Sequence, residues 1–238
     1  MMSALQKNLE DTVHFDLSTR GLRALNSTLQ GLGANTNQTS WTITNPHGAH
    51  ALAVGVTAPV SITINGHAGY YASGMNDGAR ITITGNAGTG LAENMMSGFV
   101  HVLGDASQSA GATAHGGLLI IEGNASARCG ISMKGVDIVV KGNVGHMSAF
   151  MAQSGNLVVC GDAGEALGDS LYEARIFVKG KVASLGADCE VKPMSEEDKS
   201  ILAGLLATAG VDANPDEFTR YGSARTLYTF HVDNAGSY

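Results

Sequence analysis

The chain has 238 residues and a mass of 24.4 kDa, which is enough for a sizeable core. Its net charge of −7, from 21 acidic and 14 basic side chains, argues against nucleic acid or an anionic membrane as partner. Only 15% of residues are charged whereas 32 are glycine, which favours a repetitive β architecture over disorder. The N-terminus has acidic residues and no apolar run long enough for a signal peptide or membrane span, so a cytoplasmic location is expected.

Residues 1–40 precede the regular part of the chain and are predicted to form an N-terminal extension or cap. One short helix is expected over about 20–30, because Leu22, Leu25 and Leu29 fall on one helical face. Such a helix could cover the open end of a stack of repeats or contact a partner. The covering role is the favoured interpretation, because solenoids need a terminal unit with a polar outer face.

A single solenoid domain is predicted over 41–190. Trp41 and Ile43, followed by a turn at 45–48, predict a strand and a corner slightly out of register with the later repeats. From 61 to 182, one nineteen-residue pattern then occurs seven times without an insertion or deletion. The constant glycines of this pattern are Gly66, Gly85, Gly104, Gly123, Gly142, Gly161 and Gly180.

The positions four and two residues before each glycine are apolar in every repeat. They are Ile62 and Ile64, Ile81 and Ile83, Val100 and Val102, Leu119 and Ile121, Ile138 and Val140, Leu157 and Val159, and Ile176 and Val178. A period of two predicts a strand with one buried face, and nineteen residues are too few for a strand plus a crossover helix. The predicted fold is therefore all-β, a right-handed, single-stranded parallel β-helix of seven regular coils with short helical extensions at both ends.

Small residues recur two, three and seven positions after each glycine, and Asn or Asp follows the glycine directly in five repeats. The glycines and small residues are expected at corners, where φ is positive or a side chain would strike the neighbouring coil. The Asn and Asp side chains are expected to tolerate left-handed turn geometry, to cap the corner and to bond along the stack. These residues are Asn86, Asp105, Asn124, Asn143 and Asp162.

A C-terminal tail is predicted over 191–238. Ser195 begins a helix with a capping box, and the apolar stripe of this helix ends at Gly210. A second short helical turn is expected over 214–218, and a strand or extended arm over 227–232. The tail is longer than an end cap requires, so two interpretations stay open: it contacts another subunit, or it packs on the flank of the solenoid.

No metal-binding or cofactor-binding residue is predicted on this chain. Cys129, Cys160 and Cys189 fall at three different phases of the repeat, so no column of the stack brings their thiols together. The glycine-rich corners lack the lysine and the helix N-terminus of a phosphate-binding loop. The histidines of the repeats also fall at different phases without zinc-ligand spacing; they are His67, His101, His115 and His146.

Catalytic residues are likewise predicted to be absent. Paired carboxylates perform acid/base chemistry in carbohydrate-active β-helices. Here Glu122 and Asp137 differ in phase, Lys141 stacks above Glu122, and Lys181 stacks above Asp162, which predicts solvated and partly charge-compensated columns. The carboxylates considered are Asp105, Glu122, Asp137, Asp162, Glu165, Asp169 and Glu173.

Six methionines fall in the arc that follows the first glycine-rich corner. Core filling on an irregular side of the coil is the favoured interpretation, and a flexible apolar contact surface is the alternative. The six are Met75, Met95, Met96, Met133, Met147 and Met151.

Three runs, Gly85-Asn86-Ala87-Gly88, Gly104-Asp105-Ala106 and the segment 123–135, resemble the GXGXG domain. This glycine-rich β-helix forms the C-terminal domain of the glutamate synthase large subunit, and a relative is the C subunit of formylmethanofuran dehydrogenase. The similarity covers about 41–187. Serine or alanine replaces one motif glycine at Ser107, Ser126 and Ala183, and because these residues are small the fold is expected to be retained.

The chain, including its 225–230 arm, looks like the free-standing GXGXG subunit of N-methylglutamate synthase, also called methylamine–glutamate N-methyltransferase. The resemblance implies a non-catalytic scaffold in a cytoplasmic hetero-oligomer that makes N-methylglutamate and ammonia from methylamine and glutamate. Implied partners are a glutamine amidotransferase-like subunit and a glutamate synthase-like subunit that carries FMN and an iron–sulfur cluster. Two alternatives stay open: a formylmethanofuran dehydrogenase-type subunit and a carbohydrate-active β-helix enzyme.

Overall fold

The computed structural model describes residues 12–225. Within them, eleven strands form one sheet in the order β1-β2-β3-β4-β5-β6-β7-β8-β9-β11-β10. The strands are β1 Thr12–Asp16, β2 Ser40–Thr44, β3 Ser61–Ile64, β4 Arg80–Ile83, β5 Phe99–Val102, β6 Leu118–Ile121, β7 Lys134–Val140, β8 Ser154–Val159, β9 Arg175–Val178, β10 Cys189–Lys192 and β11 Thr219–Ser223. The helices are α1 Leu17–Arg20, α2 Leu22–Gln30 and α3 Glu196–Ala209, with a 3-10 turn at Pro215–Glu217.

Strands β3 to β9 stack in parallel at a register of nineteen residues, apart from a shift at the start of β7 and β8 where Lys134 pairs with Ser154. The predicted parallel β-helix is therefore confirmed. Ile64 lies beside Ile83 and Ile83 beside Val102, and all three side chains are fully buried. The small apolar position after each corner forms a second line of contact, as in the parallel bridges that join Ala68, Ala87 and Ala106. Branched side chains at two positions of every coil therefore fill one continuous apolar interior.

The part of each coil opposite the sheet has alternating left-handed residues. In one coil φ is 59° at Tyr71, 58° at Ser73 and 53° at Met75, and the same positions of later coils repeat the pattern, as at Arg128 with 59°. The alternation turns successive amides in opposite directions: Tyr71 N–H donates to the next coil and Ser73 N–H to the preceding one, both at 2.8 Å. Backbone bonds to both neighbours thus hold a conformation that non-glycine residues seldom adopt.

The N-terminal end carries a strand that the sequence analysis did not predict. β1 pairs in parallel with β2, and Phe15 is buried over the first coil. The predicted helix over about 20–30 forms as α2, and Gly21, at φ 74° and ψ 158°, separates it from the additional short helix α1. Leu25 and Leu29 of α2 are fully buried in the main core.

The C-terminal helix α3 begins and ends where predicted. Ser195 and Asp198 exchange side-chain and backbone hydrogen bonds in a capping box, and Gly210 ends the helix at φ 65°. The Oδ1 atom of Asp198 also lies 3.1 Å from Nε of Arg220 and 3.4 Å from Nε of Arg175. Burial would raise the pKa of Asp198, but these hydrogen bonds and positive charges outweigh it and hold the pKa below its usual value.

The described part of the tail packs on the solenoid, so flank packing is the correct interpretation for these residues. Leu202 and Leu206 of α3 contact the outer face of the sheet. The outward-facing column that they contact is apolar from β6 to β9 and polar in β3 to β5. Strand β11 inserts antiparallel between β9 and β10 and ends the parallel stack. The buried outer column consists of Ile120, Val139, Val158 and Phe177. The predicted arm at 227–232 lies outside the described residues.

Candidate functional site

The corner residues form a ladder along the outside of the stack. The Oδ1 atom of Asn86 accepts the backbone N–H of Asp105 at 3.0 Å, and Oδ1 of Asp105 accepts that of Asn124 at 2.7 Å. The pattern continues through Asn143 and Asp162 to the backbone N–H of Lys181, with distances of 2.7 to 2.9 Å. Each Asn or Asp side chain therefore caps the corner of the next coil, as predicted, and bonds along the stack.

The ladder explains the glycine column and corrects the expected corner geometry. None of the five ladder residues has positive φ, and within the glycine column only Gly66 does. A Cβ at Gly104 would instead overlap Oδ1 of Asn86, and one at Gly142 would lie 2.6 Å from Oδ1 of Asn124. Glycine is needed because the capping oxygen of the preceding coil occupies the space of a side chain.

The hydrogen bonds at the corners also decide whether the glycine-rich turns can bind an anion. A phosphate cradle presents several free backbone N–H groups. At these corners the N–H groups of Gly123 and Gly142 donate to the carbonyl of the glycine one coil earlier, at 3.0 and 2.9 Å, and the following N–H groups donate to the ladder. The corners are therefore structural turns whose donors are already used.

Glu122 is the carboxylate with the most developed surroundings. Its Oε1 lies 2.7 Å from Nε2 of His101 and its Oε2 lies 2.8 Å from Nζ of Lys141, so the stacked Lys141 compensates it as predicted. Burial would raise the pKa of Glu122, but the hydrogen bonds and charges of Lys141 and His101 outweigh it and lower the pKa. Glu122 is thus held ionised between two partners, which suits structural pairing better than proton donation.

Asp137 differs from the solvated carboxylate that the sequence analysis predicted. It is partly buried on β7, and its Oδ1 accepts a hydrogen bond from Nδ2 of Asn156 at 2.7 Å. Burial raises its pKa, and the hydrogen bonds of Asn156 only partly offset this effect. No cationic side chain within residues 12–225 pairs with Asp137.

The other carboxylates considered are separate from Glu122 and Asp137. Asp105 and Asp162 belong to the ladder. Asp169 accepts a hydrogen bond from Oγ of Ser170 at 2.8 Å, whereas Glu165 and Glu173 are exposed. The structure assembles no acid/base pair from these residues through hydrogen bonds in the described part of the chain.

The cysteines are free thiols at separate places. Burial raises the pKa of Cys129 to about 12 and that of Cys189 to about 11, so both are unreactive at neutral pH. Cys160 is partly buried near Lys141 and Lys179 under the C-terminal helix. Among residues 12–225, no cluster of three or more His, Cys, Asp or Glu side chains is placed to hold a metal ion.

The methionines divide between the two interpretations. Met95 and Met133 are fully buried and fill the core. Met75, Met96 and Met151 are 45%, 48% and 42% exposed, so core filling is wrong for them. The exposed methionines lie on the arc opposite the sheet and supply an apolar surface.

A cavity of about 220 Å³ opens on the same side of the solenoid, at its C-terminal coils. Its lining residues come from two successive coils, from the last turn of the solenoid and from the tail. An ion pair joins Asp188 of the last turn to Arg225 of the tail. The lining combines apolar and hydroxyl side chains with that ion pair. Its residues are Met151, Ser170, Leu171, Tyr172, Asp188 and Arg225.

Sequence analysis missed two functional features that the nineteen-residue columns contain. The outer sheet column changes from Thr63, Thr82 and His101 to apolar residues at Ile120, and this change marks where α3 packs. The position eleven residues after the glycine is exposed in successive coils, with Met96 as one member. Comparing outward-facing columns, in addition to the inward ones, would have found both.

These features define a glycine-cornered parallel β-helix whose corner side chains cap one another along the stack and whose C-terminal helix covers part of the outer sheet. The chain is 64% identical over 224 residues to the protein named Protein GlxC from Rhizobium meliloti (strain 1021), and the match covers 94% of this chain and 98% of that protein. The chain therefore belongs to the GlxC family. No protein-family model matches it. Within residues 12–225, no helix has the length and hydrophobicity needed to cross a membrane.

Proposed function

We propose that the chain is a non-catalytic scaffold subunit of a glutamate synthase-like multisubunit enzyme. The observation that carries this proposal is that the polar groups of the repeats are bonded to one another. The backbone N–H groups at the corners donate to the Asn and Asp side chains of the ladder, and the carboxylate of Glu122 pairs with His101 and Lys141. A stack about 29 Å long between β3 and β9, at about 4.8 Å per coil, is a stiff body suited to holding two partners apart.

The finer form of the proposal is N-methylglutamate synthase, which converts methylamine and L-glutamate to N-methyl-L-glutamate and ammonia. It follows from the resemblance of the repeat runs, such as Gly85-Asn86-Ala87-Gly88, to the GXGXG subunit of that enzyme. The partners are then a glutamine amidotransferase-like subunit and a glutamate synthase-like subunit. FMN and the iron–sulfur cluster belong to the second partner.

The chain's own residues do not fit either cofactor. An iron–sulfur cluster needs several neighbouring thiolates, whereas Cys129 and Cys189 are buried in different coils. The phosphate of FMN needs free N–H donors, and the ladder uses those of the corners. These observations support the proposal that both groups belong to the partner.

The proposal is tested by producing the chain alone, with each partner, and with both. The chain alone should lack flavin absorbance and turnover, whereas the three polypeptides should co-purify and form N-methylglutamate from methylamine and glutamate. Turnover by the chain alone, or full activity of the two partners without it, would contradict the scaffold role. Co-purification with a molybdenum- or tungsten-containing polypeptide instead would favour the formylmethanofuran dehydrogenase-type subunit.

A further inference from the structure

Three adjacent coils of this acidic protein have no acidic side chain on the arc that follows the glycine corner. The arcs of three successive coils, 107–117, 126–136 and 145–155, contain no Asp or Glu although the chain has 21 of them. The same arcs carry Arg128 and Lys134, which are both exposed and form no ion pair within residues 12–225. These three arcs therefore form a basic zone on a chain whose net charge is −7.

Exposed side chains at one repeat position cross this zone. The position eleven residues after the glycine is exposed in six successive coils: Asp77 occupies it in the first coil, and five side chains that are not acidic occupy it in the next five. We call them the docking column; its members are Met96, His115, Lys134, Gln153 and Tyr172. At about 4.8 Å per coil the column is about 19 Å long.

The column combines apolar ends with a basic middle. Met96 is 48% exposed and Tyr172 is 47% exposed, and Met151 adds a third apolar side chain beside Tyr172. Methionine, tyrosine and arginine are enriched in protein interfaces, whereas acidic residues are depleted there. The cavity of about 220 Å³ at the Tyr172 end is large enough to receive one apolar side chain as an anchor.

The backbone under the column is rigid. The left-handed residues that flank it, such as Ser132 and Met151 at φ 52°, are fixed by backbone hydrogen bonds to adjacent coils. Ser132 N–H donates to Phe150 O at 2.8 Å, and Met151 N–H donates to Asp169 O at 2.9 Å. A preformed surface loses little conformational entropy on binding.

We propose that the docking column and the adjoining cavity bind an acidic surface of a partner polypeptide, with one apolar side chain of that partner in the cavity beside Tyr172. Charge complementarity selects this occupant: the middle of the column offers Lys134, Arg128 lies on the same arc, and the arcs of the three middle coils carry no acidic side chain. In a two-fold contact, a second copy of this chain would bring the same positive charges to the same place. The inference rests on the proposed function, because the partner is then one of the two catalytic subunits.

The test uses the full chain co-expressed with the two proposed catalytic subunits, and it measures the dissociation constant of the assembly. Lys134→Glu and Tyr172→Ala should each weaken binding by about tenfold or more. Lys181→Glu and Tyr70→Ala are matched controls at exposed positions outside the column, and they should stay within about twofold of wild type. Added salt should weaken the wild-type assembly more than the Lys134→Glu assembly.

The outcomes separate this inference from the proposed function. If the wild-type assembly forms and the column variants bind like the controls, the docking column is not the interface, although the scaffold role stands. If the wild-type chain joins neither subunit, the proposed function itself is wrong. Self-association that Lys134→Glu abolishes, or retention of a fluorescent single-stranded oligonucleotide at physiological salt, would overturn the assignment in favour of a second copy or a nucleic acid. Thermal melts that match wild type confirm that each variant folds.

Discussion

Gly104 shows how one missing side chain supports the whole stack. Its Cβ position is taken by Oδ1 of Asn86, whereas the nearest backbone atom, the carbonyl oxygen of Gly85, is 3.0 Å away. Gly104→Ala should therefore lower the free energy of unfolding by about 2–3 kcal/mol, because it displaces the capping oxygen. In an Asn86→Ala background the same change should cost about 1 kcal/mol, since the clashing oxygen is gone. Urea denaturation of the two single variants and the double variant measures this coupling.

Gly204 is the control for that cycle. It lies in the exposed interior of α3, and a Cβ there would meet nothing within 4 Å. Gly204→Ala should raise the free energy of unfolding by up to about 1 kcal/mol, because alanine has the better helix propensity. Equal losses at both glycines, or no coupling between Gly104 and Asn86, would contradict the steric explanation of the corner.

Asp137 provides a prediction of pH dependence at the residue scale. Burial raises its pKa above the ordinary 3.8, so the folded state favours the protonated form. Stability from this group is present at low pH and is lost as pH rises through its folded pKa. Asp137→Asn keeps the acceptor for Asn156 and removes the buried charge. It should therefore be more stable than wild type at pH 7, and the advantage should decline as pH is lowered toward about 4.

Thermal melts across that pH range measure the effect. Asp212→Asn is the control, because Asp212 is exposed and has no side-chain hydrogen-bond partner in the described part of the chain. An Asp137→Asn variant that is less stable than wild type at pH 7 would contradict the raised pKa of Asp137.

Helix α3 is the element whose packing is most open to test. Leu202 is fully buried against the outer column that contains Val158 and Phe177. Leu202→Ala should lower the free energy of unfolding by about 2–4 kcal/mol. Ala207→Ser on the exposed face should change it by less than about 0.5 kcal/mol. Hydrogen exchange should locate the loss in α3 and not in β3 to β5; uniform loss along the stack would contradict local docking.

The elements differ in how well the sequence predicted them. Strands β3 to β9 followed from the column of Ile64 and its equivalents, because a buried interior demands the same chemistry in every coil. Helix α3 followed from Ser195 and Gly210, whose capping roles are local. Strand β1 was missed because its register with β2 differs from nineteen residues. The reversal of β11 depends on the free edge of β9, which no local signal encodes.

The arc was the least predictable part of each coil. Left-handed φ values fall on Tyr71, Met75 and Arg128, which are not residue types that favour them. Hydrogen bonds between stacked coils determine this conformation, so local propensity carries no signal for it. The only sign of this conformation in the sequence was the small residue seven positions after each glycine. Two residues at this position, Ala92 and Ala149, have left-handed φ and are fully buried.

At the scale of the whole molecule, the repeats produce two kinds of surface. On the ladder side the polar side chains bond to the neighbouring coil, as at Asp105. In the docking column the side chains are exposed, as at Met96 and Lys134, and Lys134 forms no ion pair within residues 12–225. The first kind follows from the sequence once stacking is assumed. The second is visible in the sequence as one outward-facing repeat position, and its exposure follows from the fold.

The scaffold role is tested most directly at Glu122, whose carboxylate contacts both His101 and Lys141. Glu122→Gln should be measured by steady-state kinetics in the purified three-subunit assembly, with assembly verified by size-exclusion chromatography. We expect a kcat within about twofold of wild type, because Glu122 pairs with His101 and Lys141 of its own chain. A fall in kcat of about a hundredfold or more in an intact assembly would place chemistry on this chain and contradict the scaffold role.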